Sequence, residues 1–417
     1  MKIKRDAYLK RLIDGIDNDL IKVITGIRGC GKSYLLTELF REYLISNVTD
    51  ERHIIEVALD NRANAALRDP DAMMDYVQNR ITDSEQYFIL LDDVQYMTEF
   101  EDVLNHFLHI RNAKIYVTVS SSHCSSTDIM SKFQGRGFEI QLHPLCFWEF
   151  VSAFDGNEDD AWNTFFTYGG MPALFGLPSV NDKIAYLSQL FQQVYINDIR
   201  ERHAIRNIDA LGELLDIIAS SIGTPINPLR LTYAFDNMKS KRIDPKTVSL
   251  YLEYLKEAFL VGSARRYDIR GKKYINSQQK YYFEDVGLRN VRLGLQQHDP
   301  QRIMENIIFN ELRVRGYSVD GGVVEIREPE ASVKLKRKQL EVDFVANRGS
   351  ERLYIQSAYV MPHGETRVHQ MRPLERIGDS FRKIVVVYDN IEPRYDESGI
   401  TTVGIRKFLL NENSLAL

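Results

Sequence analysis

The chain has 417 residues, of which 44% are hydrophobic and 27% charged, and its formal net charge is −5. This length suggests about two to four domains, and this charge provides no overall attraction for nucleic acid or anionic membranes, so such binding would need a local basic patch. The three cysteines are too few and too widely spaced for a disulfide framework or a structural zinc site. No apolar run approaches the roughly 18 residues of a membrane helix, and charges interrupt the N-terminal apolar runs before a signal-peptide core forms. We therefore expect a cytoplasmic protein that does not bind membranes.

Between residues 20 and 145, apolar runs that are typical of strands alternate with stretches that have helical spacing of apolar residues. This βαβ order predicts an α/β domain with a parallel sheet, helices on both faces, and ligands at the carboxyl ends of the strands. We place this domain at residues 1–145. The expected strands are "LIKVITG", "HIIEVALD", "QYFILLDDV", "KIYVTVSSS" and "FEIQLHPL", and the expected helices are "KSYLLTELFREYLI", "PDAMMDYVQNRI" and "FEDVLNHFLHI".

The first strand is followed directly by a glycine-rich loop, "TGIRGCGKS". It matches the phosphate-binding loop G-x-x-x-x-G-K-[ST] in full, between a strand and a helix as that motif requires. Glycines allow backbone N–H groups to surround phosphate oxygens, Lys32 would reach the β- and γ-phosphates, and the Ser33 hydroxyl would ligate Mg²⁺. The residues expected to bind the nucleotide are Gly26, Ile27, Arg28, Gly29, Cys30, Gly31, Lys32 and Ser33.

The third strand ends in two carboxylates, Asp92 and Asp93. A metal-bound triphosphate needs one acid to hold Mg²⁺ and another to orient the attacking water. We assign the first role to Asp92 and the second to Asp93. No N-K-x-D-like guanine-recognition motif is apparent, so we expect ATP rather than GTP.

Three further positions have open alternatives. Ser121 follows the fourth strand and either senses the γ-phosphate or is an ordinary polar strand end. Arg136, between two glycines, either reaches the γ-phosphate of a neighbouring subunit in a homo-oligomer or is a loop arginine. Arg28 contacts phosphate or solvent.

Several motifs together resemble the prokaryotic AAA+-type ATPases that carry a C-terminal domain of unknown function. They are "TGIRGCGKS", "FILLDDVQ", "VTVSSS", "GRGFEIQLHPLCFWEF", "YGGMPALF", "YINDI", "YYFEDVGLRN" and "LEVDFVANRGSERLYIQSA". The resemblance implies an ATPase and a helical lid at residues 146–205, which includes Asp198 and Arg200. Members of that family usually have Asp-Glu where this chain has Asp92-Asp93, and an aspartate is shorter by one methylene.

Residues 206–295 have the order of a winged-helix domain, with three helical stretches followed by two strand-like runs around a basic tip, "RGKKY". The helix that would read DNA carries balanced charges, whereas the hairpin is basic and contains tyrosines. This mixture suits contacts with DNA phosphates, but winged helices also dock proteins. The hairpin residues in question are Arg265, Arg266, Tyr267, Arg270, Lys272, Lys273 and Tyr274.

Residues 296–417 resemble the PD-(D/E)xK nuclease core, with Glu305 and Glu311 on a helix and Asp343 on a strand. That chemistry needs an acid and a lysine on the next strand, where this chain has Gln356 and Ala358. An amide is a poor Mg²⁺ ligand and alanine has no charge, so we expect a degenerate domain without nuclease activity. The basic segment "KLKRK" (334–338) either binds nucleic acid or is a solvated hairpin.

These observations predict an AAA+-type ATPase that uses ATP and Mg²⁺ to engage or remodel a DNA or protein partner. The alternative is a nucleotide-dependent binding switch with little or no hydrolysis.

Overall fold

We analysed a computed structural model of the chain. It describes residues 2–120, 130–133, 135–205, 207–237, 243–296, 299–329, 335–360 and 364–415.

The N-terminal part contains the expected parallel α/β sheet of five strands, in the order β2-β3-β4-β1-β5. Strands β1 and β3 are buried along their whole length, which is why apolar residues dominate both of them in the sequence. The helix after the phosphate loop departs from expectation, because it begins as a π-helix (Tyr34–Phe40) before continuing as α2. The elements are α1 (Asp6–Asp14), β1 (Ile21–Thr25), α2 (Arg41–Asn47), β2 (Ile54–Ala58), α3 (Pro70–Gln78), β3 (Tyr87–Asp92), α4 (Phe100–Phe107), β4 (Ala113–Thr118) and β5 (Gly137–Gln141).

The segment that follows is mostly helical, as expected. Its last helix continues from a π-helix, Leu190–Ile196, without a break. The helices are α5 (Phe147–Ala153), α6 (Glu158–Tyr168), α7 (Val180–Gln189) and α8 (Asn197–His203).

The next segment has the expected order of three helices and a β-hairpin, with a short strand after the first helix. The hairpin does not stand alone, since its first strand, β7 (Val261–Asp268), also pairs in parallel with β9 (Ser318–Pro329), at Arg266↔Gly321 and the two following positions. It is therefore part of a nine-stranded sheet that crosses the expected domain boundary near residue 295. The elements are α9 (Ile208–Ser220), β6 (Pro225–Ile226), α10 (Pro228–Asn237), α11 (Pro245–Glu257), β7 (Val261–Asp268), β8 (Lys273–Phe283) and α12 (Val286–Arg292).

The C-terminal residues supply the rest of this sheet, whose order is β13-β14-β12-β11-β10-β9-β7-β8-β6. Asp343 lies on β10, and Gln356 lies on the neighbouring antiparallel strand β11. The elements are α13 (Pro300–Val314), β9 (Ser318–Pro329), β10 (Leu335–Arg348), β11 (Glu351–Ala358), α14 (Gly364–Glu375), β12 (Arg382–Val387), β13 (Arg394–Tyr395), β14 (Ile400–Gly404) and α15 (Ile405–Leu410).

A buried charged network joins the N-terminal sheet to the C-terminal part. His143, just after β5, is hydrogen-bonded through Nδ1 to Glu284 at the end of β8, and Arg313 on α13 donates to the same carboxylate over 2.6 Å. Arg5 donates to Glu149 on α5 over 3.1 Å and to the carbonyl of His143. The network thus fixes the end of β5, which lies beside the phosphate loop, to α13.

Among the described residues, no helix is long and apolar enough to span a membrane.

Candidate functional site

The phosphate loop closes tightly over the end of β5. Gly26 has φ +143°, and a Cβ atom there would lie 2.1 Å from the carbonyl oxygen of Leu142. That contact is far shorter than side chains tolerate, so only glycine fits. The backbone N–H of Leu142 donates to the Thr25 carbonyl over 2.8 Å, which places the two strand ends side by side. Strand pairing therefore sets the shape of the loop.

Lys32 is buried, with 5% of its surface exposed. Its Nζ donates to the carbonyl oxygens of Gly26 and Ile27, over 3.0 and 3.3 Å. A buried ammonium needs such partners, and phosphate oxygens are stronger acceptors than peptide carbonyls. The loop therefore holds a cation where a phosphate group could take over its hydrogen bonds.

The two acids at the end of β3 have different surroundings. Asp92 is buried and accepts a hydrogen bond from the Thr118 hydroxyl over 2.5 Å. Burial raises the pKa of Asp92, while the hydrogen bond from Thr118 opposes that rise. Asp93 has a left-handed backbone, with φ +53°, and its N–H donates to Thr118 Oγ1 over 2.8 Å.

A third acid, Asp60, lies with them. One carboxylate oxygen from each of Asp60, Asp92 and Asp93 lies within 4.8 Å of the others, which is suitable for a divalent cation. Sequence reasoning missed Asp60, although it is the last residue of the expected strand "HIIEVALD" and β2 pairs in parallel with β3. Oxygen-rich sites of this kind fit Mg²⁺, and Ser33 lies in the same cavity.

The loop and the strand ends enclose a cavity of about 300 Å³. Sequence reasoning also missed two side chains in its wall, Gln95 and Ser120. The hydroxyl of Ser120 donates to Asp93 Oδ1 over 2.9 Å. Ser121, expected to sense the γ-phosphate, lies outside the described residues. The lining residues from the loop and the helix behind it are Arg28, Gly29, Gly31, Lys32, Ser33 and Tyr34, and those from the strand ends include Asp60, Asp93, Gln95 and Ser120.

Two expected arginines lie in different places relative to this cavity. Arg28 lines it, and one of its guanidinium nitrogens lies 3.7 Å from a carboxylate oxygen of Asp198 on α8. Arg136 immediately precedes β5, and its carbonyl accepts the N–H of Ile21, the first residue of β1. Because β1 and β5 are parallel, Arg136 lies at the edge of the sheet opposite the phosphate loop. It is therefore remote from the cavity of its own chain.

The acids of the C-terminal part surround a lysine. Lys280 on β8 is buried, and its Nζ lies 3.2 Å from Glu305, 2.6 Å from Glu341 and 3.7 Å from Asp343. Burial alone would lower the pKa of Lys280, but these carboxylates outweigh burial and raise it, so the ammonium is charged at neutral pH. Burial also raises the pKa of Asp343, to about 7.

Gln356 and Glu311, which the sequence analysis also considered, make other contacts. Gln356 Oε1 accepts the N–H of Asp343 over 3.4 Å. Glu311 instead pairs with Arg315 over 2.6 Å. Sequence reasoning missed Lys280 and Glu341, because Lys280 lies on β8 whereas its partners lie on α13 and β10, which are distant from β8 in the sequence.

The basic hairpin makes internal contacts as well as exposing charge. The Arg265 guanidinium lies 4.0 Å from the centre of the Tyr274 ring, and Arg266 donates to Gln339 over 2.6 Å. Arg270 donates to two backbone carbonyls, whereas Lys272 and Lys273 are exposed.

Comparison with known proteins matches residues 18–151 to an AAA domain family and residues 159–299 to a domain of unknown function, DUF8612. The geometry of the loop and this match together define the N-terminal part as an AAA-type ATPase domain with a nucleotide-binding P-loop. An uncharacterized protein of Haemophilus influenzae is 30% identical over 416 residues, which are 98% of each chain. The chain belongs to the same family as this Haemophilus protein.

More distant similarities extend to archaea. An uncharacterized protein of Methanocaldococcus jannaschii is 28% identical over 360 residues, covering 82% of this chain and 74% of that protein. Among solved structures, a Walker-type ATPase of Pyrococcus abyssi has a TM-score of 0.47 at 14% identity, covering 70% of this chain and 96% of that one.

Proposed function

We propose that this chain is a Mg²⁺-dependent ATPase of AAA+ type, which couples ATP binding and hydrolysis to the engagement or remodelling of a DNA or protein partner. The observation that carries the proposal is that Asp60, Asp93 and the buried Lys32 line one cavity, with a carboxylate oxygen of Asp92 within 4.8 Å of those of the other two acids. A triphosphate with a divalent cation has the charges that such a site complements.

Each residue at the site has an assigned task. Lys32 exchanges its two carbonyl partners for β- and γ-phosphate oxygens, and the loop N–H groups bind the remaining phosphate oxygens. Ser33 and Asp92 would hold Mg²⁺, with Asp60 as an additional oxygen ligand. Mg²⁺, when bound, neutralises charge on the phosphate oxygens. Asp93 orients the water that attacks the γ-phosphate.

The surrounding parts give the hydrolysis a mechanical output. We assign residues 146–205 to a helical lid, since Asp198 of α8 contacts the loop arginine Arg28. A phosphate group would compete with Asp198 for Arg28, so nucleotide binding would loosen the lid from the loop. Arg136, remote from the cavity of its own chain, is assigned to the nucleotide of a neighbouring subunit in a homo-oligomer.

We assign residues 206–295 to a winged-helix-like module that contacts DNA through its basic hairpin. Exposed Lys272 and Lys273 at the tip suit phosphate groups. Residues 296–417 act as a degenerate nuclease-like scaffold without nuclease activity, because the Lys280 ammonium already pairs with acids that would otherwise bind a metal.

The proposal is tested by steady-state ATP hydrolysis, with and without duplex DNA, for the wild type, Lys32→Ala and Asp93→Asn. We expect each variant to lose on the order of a hundredfold in turnover, since each removes a group that acts on the transferred phosphate or its water. Lys10→Ala, which removes an exposed lysine of α1 paired with Asp14, is the matched control and should retain full activity.

Three outcomes distinguish the alternatives. Stimulation by DNA supports the remodelling ATPase. Binding of Mg²⁺-ATP with turnover no faster than that of Lys32→Ala supports the non-hydrolysing switch instead. Mg²⁺-dependent nicking of DNA that disappears in Asp343→Asn would contradict the degenerate assignment.

A further inference from the structure

Gln95 connects the ends of two neighbouring strands at the cavity. It lies two residues after Asp93, in the one-turn 3-10 helix Val94–Tyr96. Its Nε2 donates to Asp93 Oδ1 over 2.7 Å, and its Oε1 accepts the backbone N–H of Ser120 over 3.1 Å. Both ends of the amide are therefore engaged, one at the end of β3 and the other just beyond β4.

These contacts fix the carboxylate of Asp93. Oδ1 accepts hydrogen bonds from both Gln95 Nε2 and the Ser120 hydroxyl, and the backbone of Asp93 is held by Thr118. Two donors on one oxygen restrict rotation about the Cβ–Cγ bond, so the direction of Oδ2 is fixed as well. The left-handed turn at Asp93 brings Gln95 back toward this carboxylate.

We infer that Gln95 is a positioning residue for ATP hydrolysis, which holds the Asp93 carboxylate in the orientation needed to direct the attacking water. The inference rests on the proposed function and goes beyond it by assigning the alignment of Asp93 to a residue outside the loop and the acid pair. An aspartate side chain is shorter than a glutamate side chain by one methylene, so fewer orientations of its carboxylate can contact the attacking water. A displacement of about 1 Å at a reacting group can cost on the order of a hundredfold in rate.

A neutral amide suits this task better than a charged group. A lysine or arginine at this position would pair with the carboxylate and compete with the divalent cation for it. A glutamate would repel it. Glutamine offers a donor to Asp93 and an acceptor to Ser120 and adds no charge. The site already contains the three carboxylates of Asp60, Asp92 and Asp93.

Two variants of the full chain separate the two hydrogen bonds. Gln95→Met removes both while keeping nearly the same volume, and Gln95→Glu keeps the acceptor for Ser120 but loses the donor to Asp93. We expect kcat to fall about tenfold to a hundredfold in both. The Kd of Gln95→Met for a fluorescent ATP analogue with Mg²⁺ should stay within about twofold of the wild-type value, because the loop and Lys32 are untouched.

Thermal unfolding of each variant shows whether the chain remains folded. Gln78→Met, on the exposed side of α3 where the side chain contacts His106, is the matched control and should change neither kcat nor Kd. A fall in kcat at unchanged Kd and Tm is a separation that a purely structural role would not produce.

The remaining outcomes overturn the inference in distinguishable ways. If the wild type hydrolyses ATP and Gln95→Met turns over as fast or faster, Gln95 does not position Asp93, while the proposed ATPase stands. If Gln95→Met weakens binding with kcat unchanged, Gln95 contacts the nucleotide instead. If the wild type turns over no faster than Lys32→Ala, the proposed function itself fails, and this inference fails with it.

Discussion

Asp92 and Asp93, at the end of β3, have the same side chain but different surroundings, which suit them to different roles. Asp92 is buried and fixed by Thr118, so its carboxylate can change position little. Asp93 turns into the cavity through a left-handed backbone, and its carboxylate is held by the side chains of Gln95 and Ser120. A cation ligand benefits from rigid burial, whereas a group that directs water must face the cavity. The roles proposed for Asp92 and Asp93 depend on this difference in their surroundings.

The first testable residue is Gly26. Gly26→Ala should lower the free energy of unfolding by more than about 3 kcal/mol and abolish ATP binding. Its new Cβ would lie 2.1 Å from the Leu142 carbonyl, and alanine at φ +143° is itself strained. Urea unfolding and titration with a fluorescent ATP analogue measure the two effects.

Gly294→Ala provides a matched control for the backbone contribution alone. Gly294 also has a positive φ, of +62°, but a Cβ there would meet nothing within 4 Å. Its cost should be about 1 kcal/mol, with ATP binding unchanged. Equal costs at the two positions would show that contact with Leu142 does not shape the loop.

At the level of elements, the sequence predicts a strand well where the strand is buried along its whole length, and it predicts a motif well where the residues are close in the sequence. The strands β1 and β3 appear as apolar runs because both faces are covered, and the loop motif has a fixed spacing. The nine-stranded sheet could not be predicted, because β7 meets β9 over three residue pairs that carry no local signal. Gln95, Ser120 and Lys280 escaped prediction for the same reason, since their partners come from other elements.

The contacts of Lys280 form a clear example of such long-range pairing. Lys280→Met should lower the free energy of unfolding by about 3 to 5 kcal/mol, because it leaves the buried acids Glu305 and Asp343 without their cation. The mutual repulsion of these acids would then be unopposed. Chemical denaturation at neutral pH measures the loss.

Lys273→Met is the matched control for this prediction, because Lys273 lies at the start of the same strand and is exposed. It should change stability by less than about 0.5 kcal/mol. A similarly small effect of Lys280→Met would mean that the acids are neutral in the folded chain and need no cation. In that case the stability of the C-terminal acid cluster would not depend on Lys280.

For the whole molecule, the buried network around Glu284 provides a physical connection between the ATPase domain and the C-terminal part. His143 follows the strand whose end contacts the phosphate loop, and Arg313 belongs to α13. Buried, hydrogen-bonded charges tolerate little relative displacement, because separating them leaves a charge without a partner. A movement of the loop or of β5 is therefore expected to displace α13 as well.

The pH dependence of stability tests this network. Burial alone would raise the pKa of Glu284, but Arg313 and His143 outweigh burial and lower it to about 2, from 4.5 in the unfolded chain. A carboxylate whose pKa is lowered by folding stabilises the native state above its unfolded pKa. That contribution, roughly 3 kcal/mol, is lost as the pH falls from 4.5 toward 2.

Glu284→Gln removes this titration, so the stability difference between the wild type and Glu284→Gln should shrink as the pH is lowered from about 4.5 to about 3. Urea unfolding of both proteins across this range measures the difference, in which the titration of groups remote from Glu284 cancels; His143, which contacts Glu284, titrates at higher pH. Glu253→Gln, an exposed residue of α11 paired with Lys256, should show no comparable pH dependence. A difference that stays constant with pH would mean that Glu284 has the same pKa in the folded and unfolded chains. The charge of Glu284 would then not stabilise the connection between the two parts of the molecule.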